Sequence, residues 1–176
     1  MDRQRLKRRV VFTTASCVVV FALAVLAPNI AAFGWHAIHP GKQQFGDYEI
    51  AVPSSFILQR TSIGIRLFRA KTTFSSTLYE FESVQLNQAP GQVDIEKWRA
   101  GALQTLSNAG DKNAKGFDIN IGGSPSACIE REQDDPSVRT VVLCKSSSNL
   151  TTEYFGNDGS LASMKDVLQT VQRRPA

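Results

Sequence analysis

An uncharged apolar run near the N-terminus constrains this chain more than any other feature. Residues 10–33, VVFTTASCVVVFALAVLAPNIAAF, hold 24 positions without a charged side chain. A helix rises about 1.5 Å per residue, so this run would extend about 36 Å and cross the ~30 Å hydrocarbon core of a bilayer. The sequence therefore predicts a transmembrane helix over residues 10–33.

The charge of the preceding tail predicts the orientation of this helix. Residues 1–9 hold five basic side chains and one acidic side chain. Because basic flanks stay on the cytoplasmic side, the tail is predicted to be cytoplasmic and the rest of the chain extracytoplasmic. A cleaved signal peptide is the alternative, with small residues at Ala22–Ala24 and at Ala31 as candidate cleavage sites.

A short linker is predicted between the membrane and a folded domain. Residues 34–46, GWHAIHPGKQQFG, contain the helix-breaking residues Gly34, Pro40 and Gly41. Trp35 stands where an interfacial aromatic belt would place it. The boundaries predicted from the sequence are thus a tail at 1–9, an anchor at 10–33, a linker at 34–46 and a domain at 47–174.

The net charge of +4 belongs to the tail and not to the domain. The tail accounts for all of it, and the remaining residues hold equal numbers of basic and acidic side chains. A neutral domain lacks the basic surface that phosphate binding requires, so no nucleic-acid partner is expected. The basic excess predicts membrane topology instead.

Two of the three cysteines predict a disulfide. Cys128 and Cys144 stand at equal distances from Asp135–Pro136, a turn-forming pair. If the flanking segments form a hairpin about that turn, the two cysteines lie opposite each other, close enough for a bridge. A disulfide needs an oxidising compartment, which agrees with the predicted topology. Two buried free thiols remain the alternative, and Cys17 is interpreted as an apolar residue of the membrane helix.

The domain pattern predicts three strands, a helix, three or four strands and a last helix. The first helix follows Asp94 as N-cap, and a bulge is expected near Glu82–Ser83, where the apolar positions change phase. The last helix is expected to be capped by Ser160, to bury Val171 and to end at Arg173–Arg174. This order predicts an α+β fold: a mainly antiparallel sheet with two amphipathic helices packed on it.

Two segments resemble the Mog1/PsbP-like superfamily. FGDYEIAVPSSF, starting at Phe45, is similar to the opening of that fold, and EYFGNDGSLASMKDVLQTVQ, starting at Glu153, is similar to its ending. The chain departs from the usual pattern at Phe56, where many members have tryptophan. The resemblance implies an α/β/α sandwich, and it implies an accessory or binding role because most members look like non-enzymes.

The sequence contains no motif for catalysis or cofactor binding. The domain has no histidine, and HExxH, CxxC, P-loop and GxGxxG patterns are absent. His36 and His39 lack a third metal ligand nearby, Asp134–Asp135 are explained by the turn, and Glu80 and Glu82 are expected to be solvated. No enzyme activity, cofactor or metal is therefore expected.

The function predicted from these features is that of a membrane-anchored extracytoplasmic accessory or protein-interaction domain. The short linker would keep the domain close to the bilayer, which suits a protein partner in or near the membrane. The serine-rich segment from Lys145 to Thr152 is the predicted interaction surface, as an exposed edge strand. The alternative is an extracytoplasmic small-ligand binding protein or, less favoured, a hydrolase.

Overall fold

A long N-terminal helix precedes an α+β domain. The computed structural model describes residues 2–72, 79–111, 113–133, 139–157 and 161–175, with residues 2–12 described by backbone alone. The helices are α1 (Asp2–Ile38), α2 (Ile95–Asn108) and α3 (Ala162–Gln169). The strands are β1 (Gln43–Phe45), β2 (Tyr48–Ile50), β3 (Ile57–Arg60), β4 (Gly64–Thr72), β5 (Tyr79–Gln88), β6 (Lys115–Ile121), β7 (Ser124–Glu132), β8 (Thr140–Ser146), β9 (Leu150–Gly156) and β10 (Val171–Arg173).

Two antiparallel sheets form the domain. The larger sheet has seven strands in the order β3-β4-β5-β9-β8-β7-β6, and the smaller has three in the order β1-β2-β10. Every described pairing is antiparallel. The predicted α+β class with a mainly antiparallel sheet is therefore confirmed.

One face of the large sheet, here called the inner face, carries the hydrophobic core. Strand β9 alternates buried and half-buried residues along its whole length, as the period of two in a strand requires. Helix α3 buries Met164, Val167 and Leu168 in this core, and the small sheet adds Tyr48 and Ile50. Helix α3 and the small sheet therefore both pack against the inner face.

The opposite, outer face of the large sheet is covered only in part. Helix α2 begins after Asp94, whose carboxylate accepts a hydrogen bond from the Lys97 backbone amide as the sequence predicts for an N-cap. The helix contacts β6, β7 and β8 but buries none of its own residues completely. Arg99 of α2 pairs with Asp118 of β6 across this contact. Strands β3, β4 and β5 therefore have an outer face that α2 does not cover.

Helix α1 lies against the domain along one stripe. Described residues 13–23 are exposed, whereas a stripe with helical spacing further along is half-buried or buried. The helix contacts β3 and β4. The Thr72 hydroxyl donates to the Val25 carbonyl oxygen at 2.9 Å, and the Tyr79 hydroxyl donates to the Ala24 carbonyl oxygen at 2.7 Å. The stripe consists of Ala24, Val25, Pro28, Ala32, Trp35 and His36.

The linker predicted at residues 34–46 is mostly regular structure. Helix α1 continues through Gly34 to Ile38, and β1 begins at Gln43. Glycine costs about 1 kcal/mol inside a helix, but Ala32 and Trp35 on either side of Gly34 are held against the domain. Trp35 packs against the domain core and stacks on His39 with ring centroids 4.6 Å apart.

The predicted C-terminal helix is too long. Helix α3 ends at Gln169, and Val171 to Arg173 form β10 beside β2. Val171 is buried as expected, but in a strand. This strand, β10, pairs with the edge of β2 that β1 does not occupy. Arg173 and Arg174 consequently do not lie at a helix terminus. Leu161 is the N-cap, and the predicted cap Ser160 lies outside the described residues.

The bulge predicted near Glu82–Ser83 is wrong. Strands β4 and β5 pair in continuous register from Gly64↔Asn87 to Thr72↔Tyr79. The apparent phase change arises because β5 has large side chains on both faces. Val84 and Leu86 lie in the core, and Phe81 points to the other face with 62% of its surface exposed.

Candidate functional site

The structure joins Cys128 and Cys144 in a disulfide. The two residues are directly opposite each other in the antiparallel pairing of β7 and β8, at the register expected from the sequence. Both are completely buried in the core of the inner face. Cys17, on the exposed part of α1, is the free thiol. The disulfide is therefore a structural bridge between two central strands and not an accessible redox pair. The predicted turn residues Asp134 and Asp135 lie outside the described residues.

A buried ion pair joins three elements of the inner face. Arg69 Nε donates to Glu82 Oε2 at 2.7 Å, and the Arg69 guanidinium also donates to the Ser163 hydroxyl of α3 and lies 5.1 Å from the Phe56 ring centroid. The Glu82 side chain is 5% exposed and that of Arg69 is 21% exposed. The expectation that Glu82 is solvated is therefore wrong, because β4 supplies its partner directly across the strand pair. The pair fixes α3 on the sheet.

The two histidines bind backbone carbonyls. His36 Nε2 donates to the Pro53 carbonyl oxygen at 3.2 Å, and His39 Nδ1 donates to the Trp35 carbonyl oxygen at 3.0 Å. Among the described residues no group of three or more potential metal ligands lies close together. The His36 contact instead fastens the end of α1 to the loop before β3.

A cluster of serine side chains lies where the small sheet meets the large sheet. The Tyr48 hydroxyl is 2.5 Å from Ser148 Oγ, which is 3.0 Å from Ser146 Oγ and donates to Ser124 Oγ at 3.2 Å. Ser146 Oγ also accepts a hydrogen bond from the Leu150 backbone amide. In the described part of the chain no carboxylate or imidazole hydrogen-bonds to this cluster. Its serines therefore lack the general base that nucleophilic catalysis uses, and the network serves to satisfy buried polar groups.

The segment Lys145–Thr152 is not an edge strand. It joins β8 and β9, which are central in the seven-stranded order, and the edges are β3 and β6. Ser146, Leu150 and Thr152 are completely buried. Partial burial lowers the pKa of Lys145, whose Nζ donates to Thr151 Oγ1 at 2.8 Å. Strand order depends on distant pairings, so local polarity misled this prediction.

An open groove of about 510 Å³ lies on the uncovered part of the outer face. Its floor is apolar and aromatic, and its one basic side chain is Arg66, which donates to Ser83 Oγ at 3.3 Å. Because Arg66 is exposed, most of its donors face solvent. We call this the strand groove; it is lined by Gln59, Arg66, Phe68, Phe81, Glu82, Ser83 and Phe155.

A second groove of about 450 Å³ lies on the same face between α2 and the sheet. We call it the helix groove; its lining includes Ala102, Leu106, Ile129, Val141, Leu143 and Phe155. It exists because α2 rests on the sheet through half-buried residues only. Phe155 lines both grooves, so the outer face carries one continuous apolar surface across β4, β5, β9 and β8.

Comparison with known proteins does not assign the chain to a family. No protein-family model matches the chain, and a search of the curated proteins found no match. The candidate site is therefore defined by the shape and chemistry of the outer face alone.

Three phenylalanines in the sequence indicate the apolar outer face, although the period of two in the strands did not predict it. Phe68 and Phe155 each directly follow a core residue, and Phe81 is out of phase with the core residues Val84 and Leu86 of its strand. Large apolar residues in both phases of a strand indicate apolar surface on both faces of the sheet. The interpretation of the phase change after Phe81 as a bulge near Glu82–Ser83 concealed this signal.

Proposed function

We propose that this protein is a membrane-anchored accessory domain that binds another protein on the extracytoplasmic side. Residues Thr13–Ile38 form a helix that is long and apolar enough to cross a membrane and is almost entirely unburied. The basic tail and the Cys128–Cys144 disulfide both support an extracytoplasmic location for the domain.

The observation that carries the binding role is the uncovered apolar surface of the outer face. Two adjoining grooves share Phe155, and the exposed Arg66 lines the strand groove. Aromatic residues and arginine are enriched at the centres of protein interfaces, whereas lysine and acidic residues are depleted there. The resemblance to Mog1/PsbP-like proteins points to the same accessory role.

Small-ligand binding is the second candidate, and the helix groove is the observation that favours it. Its volume of about 450 Å³ falls within the range of ligand sites, roughly 300–1,000 Å³. Its lining is mostly aliphatic, with Thr105, Arg131 and Glu153 as polar groups. A ligand there would be a largely apolar molecule with a polar end. That the chain is not an enzyme stays a prediction.

Topology is tested by labelling single cysteines in intact cells. In a Cys17→Ser background, an Ile63→Cys variant is expected to react with a membrane-impermeant maleimide, because Ile63 is 63% exposed on the domain. A Gln4→Cys variant in the basic tail is expected to react only after the cells are opened. The reverse pattern would place the domain in the cytoplasm and refute the proposal.

Binding through the outer face is tested by charge reversal. Substituting Arg66→Glu in the strand groove is expected to reduce recovery of a co-purifying membrane protein roughly tenfold or more, as expected for an interface arginine. Lys97→Glu is the matched control, because Lys97 is also exposed but lies on α2 and lines neither groove. Recovery unchanged by Arg66→Glu, or reduced equally by both variants, would count against this surface.

A further inference from the structure

The docking of α1 on the domain fixes how far the domain stands from the bilayer. The stripe from Ala24 to His36 touches the domain, and the described residues before Ala24 do not. The contact extends about 18 Å along the helix axis. Domain and helix are therefore side by side and not end to end.

The length of the helix limits where the bilayer can lie. A hydrocarbon core of ~30 Å takes up about 20 residues of helix. Counted from Val10, the first residue after the basic tail, that length ends near Asn29. Moving the helix outward would draw Arg8 and Arg9 into hydrocarbon, which is costly. Moving it inward, or tilting it, would bring more of the docked stripe into the bilayer.

The ends of β4 and β5 consequently reach the membrane. Ala24 and Val25 lie about 6–8 Å inside the boundary near Asn29. Their carbonyl oxygens accept hydrogen bonds from Tyr79 and Thr72. These two residues are directly paired, at the end of the β4–β5 ladder. The two hydroxyls are thus satisfied by protein and need no water, as a site inside the hydrocarbon boundary requires.

The side chains next to this point suit the boundary between acyl chains and headgroups. Phe81, two residues from Tyr79 on the same strand face, is 62% exposed. Lys71 is exposed and lies opposite Glu80. A lysine at this depth can extend its ammonium group to lipid phosphates while its methylenes contact acyl chains. Lys71 lies on the other face of the sheet from Phe81, so an aromatic and a basic side chain stand at nearly the same depth on its two sides, and both types are common at membrane interfaces.

We propose that the ends of β4 and β5, with Phe81 as the contacting side chain, insert into the lipid leaflet on the domain's side of the membrane. This inference rests on the proposed membrane anchoring by α1 and adds a second contact to it. The lipid contact would hold the sheet at one angle to the membrane. The strand groove, which Phe81 also lines, would then open next to the bilayer surface.

Fluorescence quenching by labelled lipids in nanodiscs tests the proposal on the full-length chain. A single NBD probe is attached at Phe81→Cys or at Ile63→Cys, each in a Cys17→Ser background. Ile63 is the matched control, because it is 63% exposed against 62% for Phe81 and precedes the opposite end of β4. A third sample carries the probe on the native Cys17 of α1.

The expected result separates the three positions. The probe at 81 should shift to the blue and lose most of its emission to lipids spin-labelled near the headgroup. The probe at 63 should remain unquenched, and the probe at 17 should be quenched most by labels deep in the acyl chain. Equal emission at 81 and 63 with quenching at 17 would overturn the lipid contact and leave the anchor intact. No quenching at 17 would refute the anchoring itself.

Discussion

Substituting Glu82 with alanine is expected to lower the free energy of unfolding by about 3 kcal/mol. The change removes the partner of Arg69, whose guanidinium is then largely buried beside α3 without a counter-charge. Breaking one half of a buried ion pair typically costs about 3–5 kcal/mol, and the lower figure applies because Arg69 keeps 21% of its side chain exposed. Denaturant unfolding of the full chain in nanodiscs, followed by circular dichroism, measures the loss.

Glu80→Ala is the control for this prediction. Glu80 lies on the same strand and the same face, two residues before Glu82, and its cross-strand neighbour Lys71 is exposed. Even an exposed ion pair with Lys71 would contribute only about 0–1 kcal/mol, so the variant should unfold almost as the native chain does. The double variant Arg69→Met/Glu82→Leu should recover a large part of the loss, because apolar replacement removes the stranded charge. Equal stability of Glu82→Ala and Glu80→Ala would contradict the buried pair.

Removing the disulfide with Cys128→Ala and Cys144→Ala is expected to destabilise the domain by about 3 kcal/mol. The two cysteines are separated by 16 positions, and closing a loop of about that size restricts the unfolded chain by this amount. Because both sulfur-bearing residues are completely buried, reductant should act only when the domain unfolds. Unfolding curves with and without reductant measure both effects.

Cys17→Ser is the matched control for the disulfide prediction. It removes the free thiol on the exposed part of α1, and it should leave the stability of the domain unchanged. Mass mapping without reduction should recover the peptides of Cys128 and Cys144 joined together. Alkylation of both cysteines in the native protein would contradict the bridge.

The parts of the fold that local patterns specify could be predicted from the sequence. The facing of Cys128 and Cys144 followed from their spacing about one turn, since a hairpin fixes register from its turn. The start of α2 followed from Asp94, whose short side chain caps the helix within three residues. The α+β class followed from the order of strands and helices.

Features set by distant partners could not be predicted in this way. Val171 continues a helical pattern but lies in β10, because β2 lies beside it after a separation of more than 100 residues. Glu82 looks solvated in sequence, and only the pairing of β4 with β5 brings Arg69 to it. The same holds for the candidate site, because the position of α2 on the sheet decides which part of the outer face stays open.

The docked stripe of α1 has a consequence for any neighbouring helix in the bilayer. Along the stripe the domain occupies one side of the helix, so a partner helix at that level has only the opposite side to approach. That side presents large apolar residues at alternating three- and four-residue intervals, the spacing of a helix-packing seam. The domain would then lie on the side of α1 that faces away from this partner. Helix α1 therefore sets the orientation of the domain in an assembly. The exposed seam consists of Val19, Leu23, Leu26, Ile30 and Phe33.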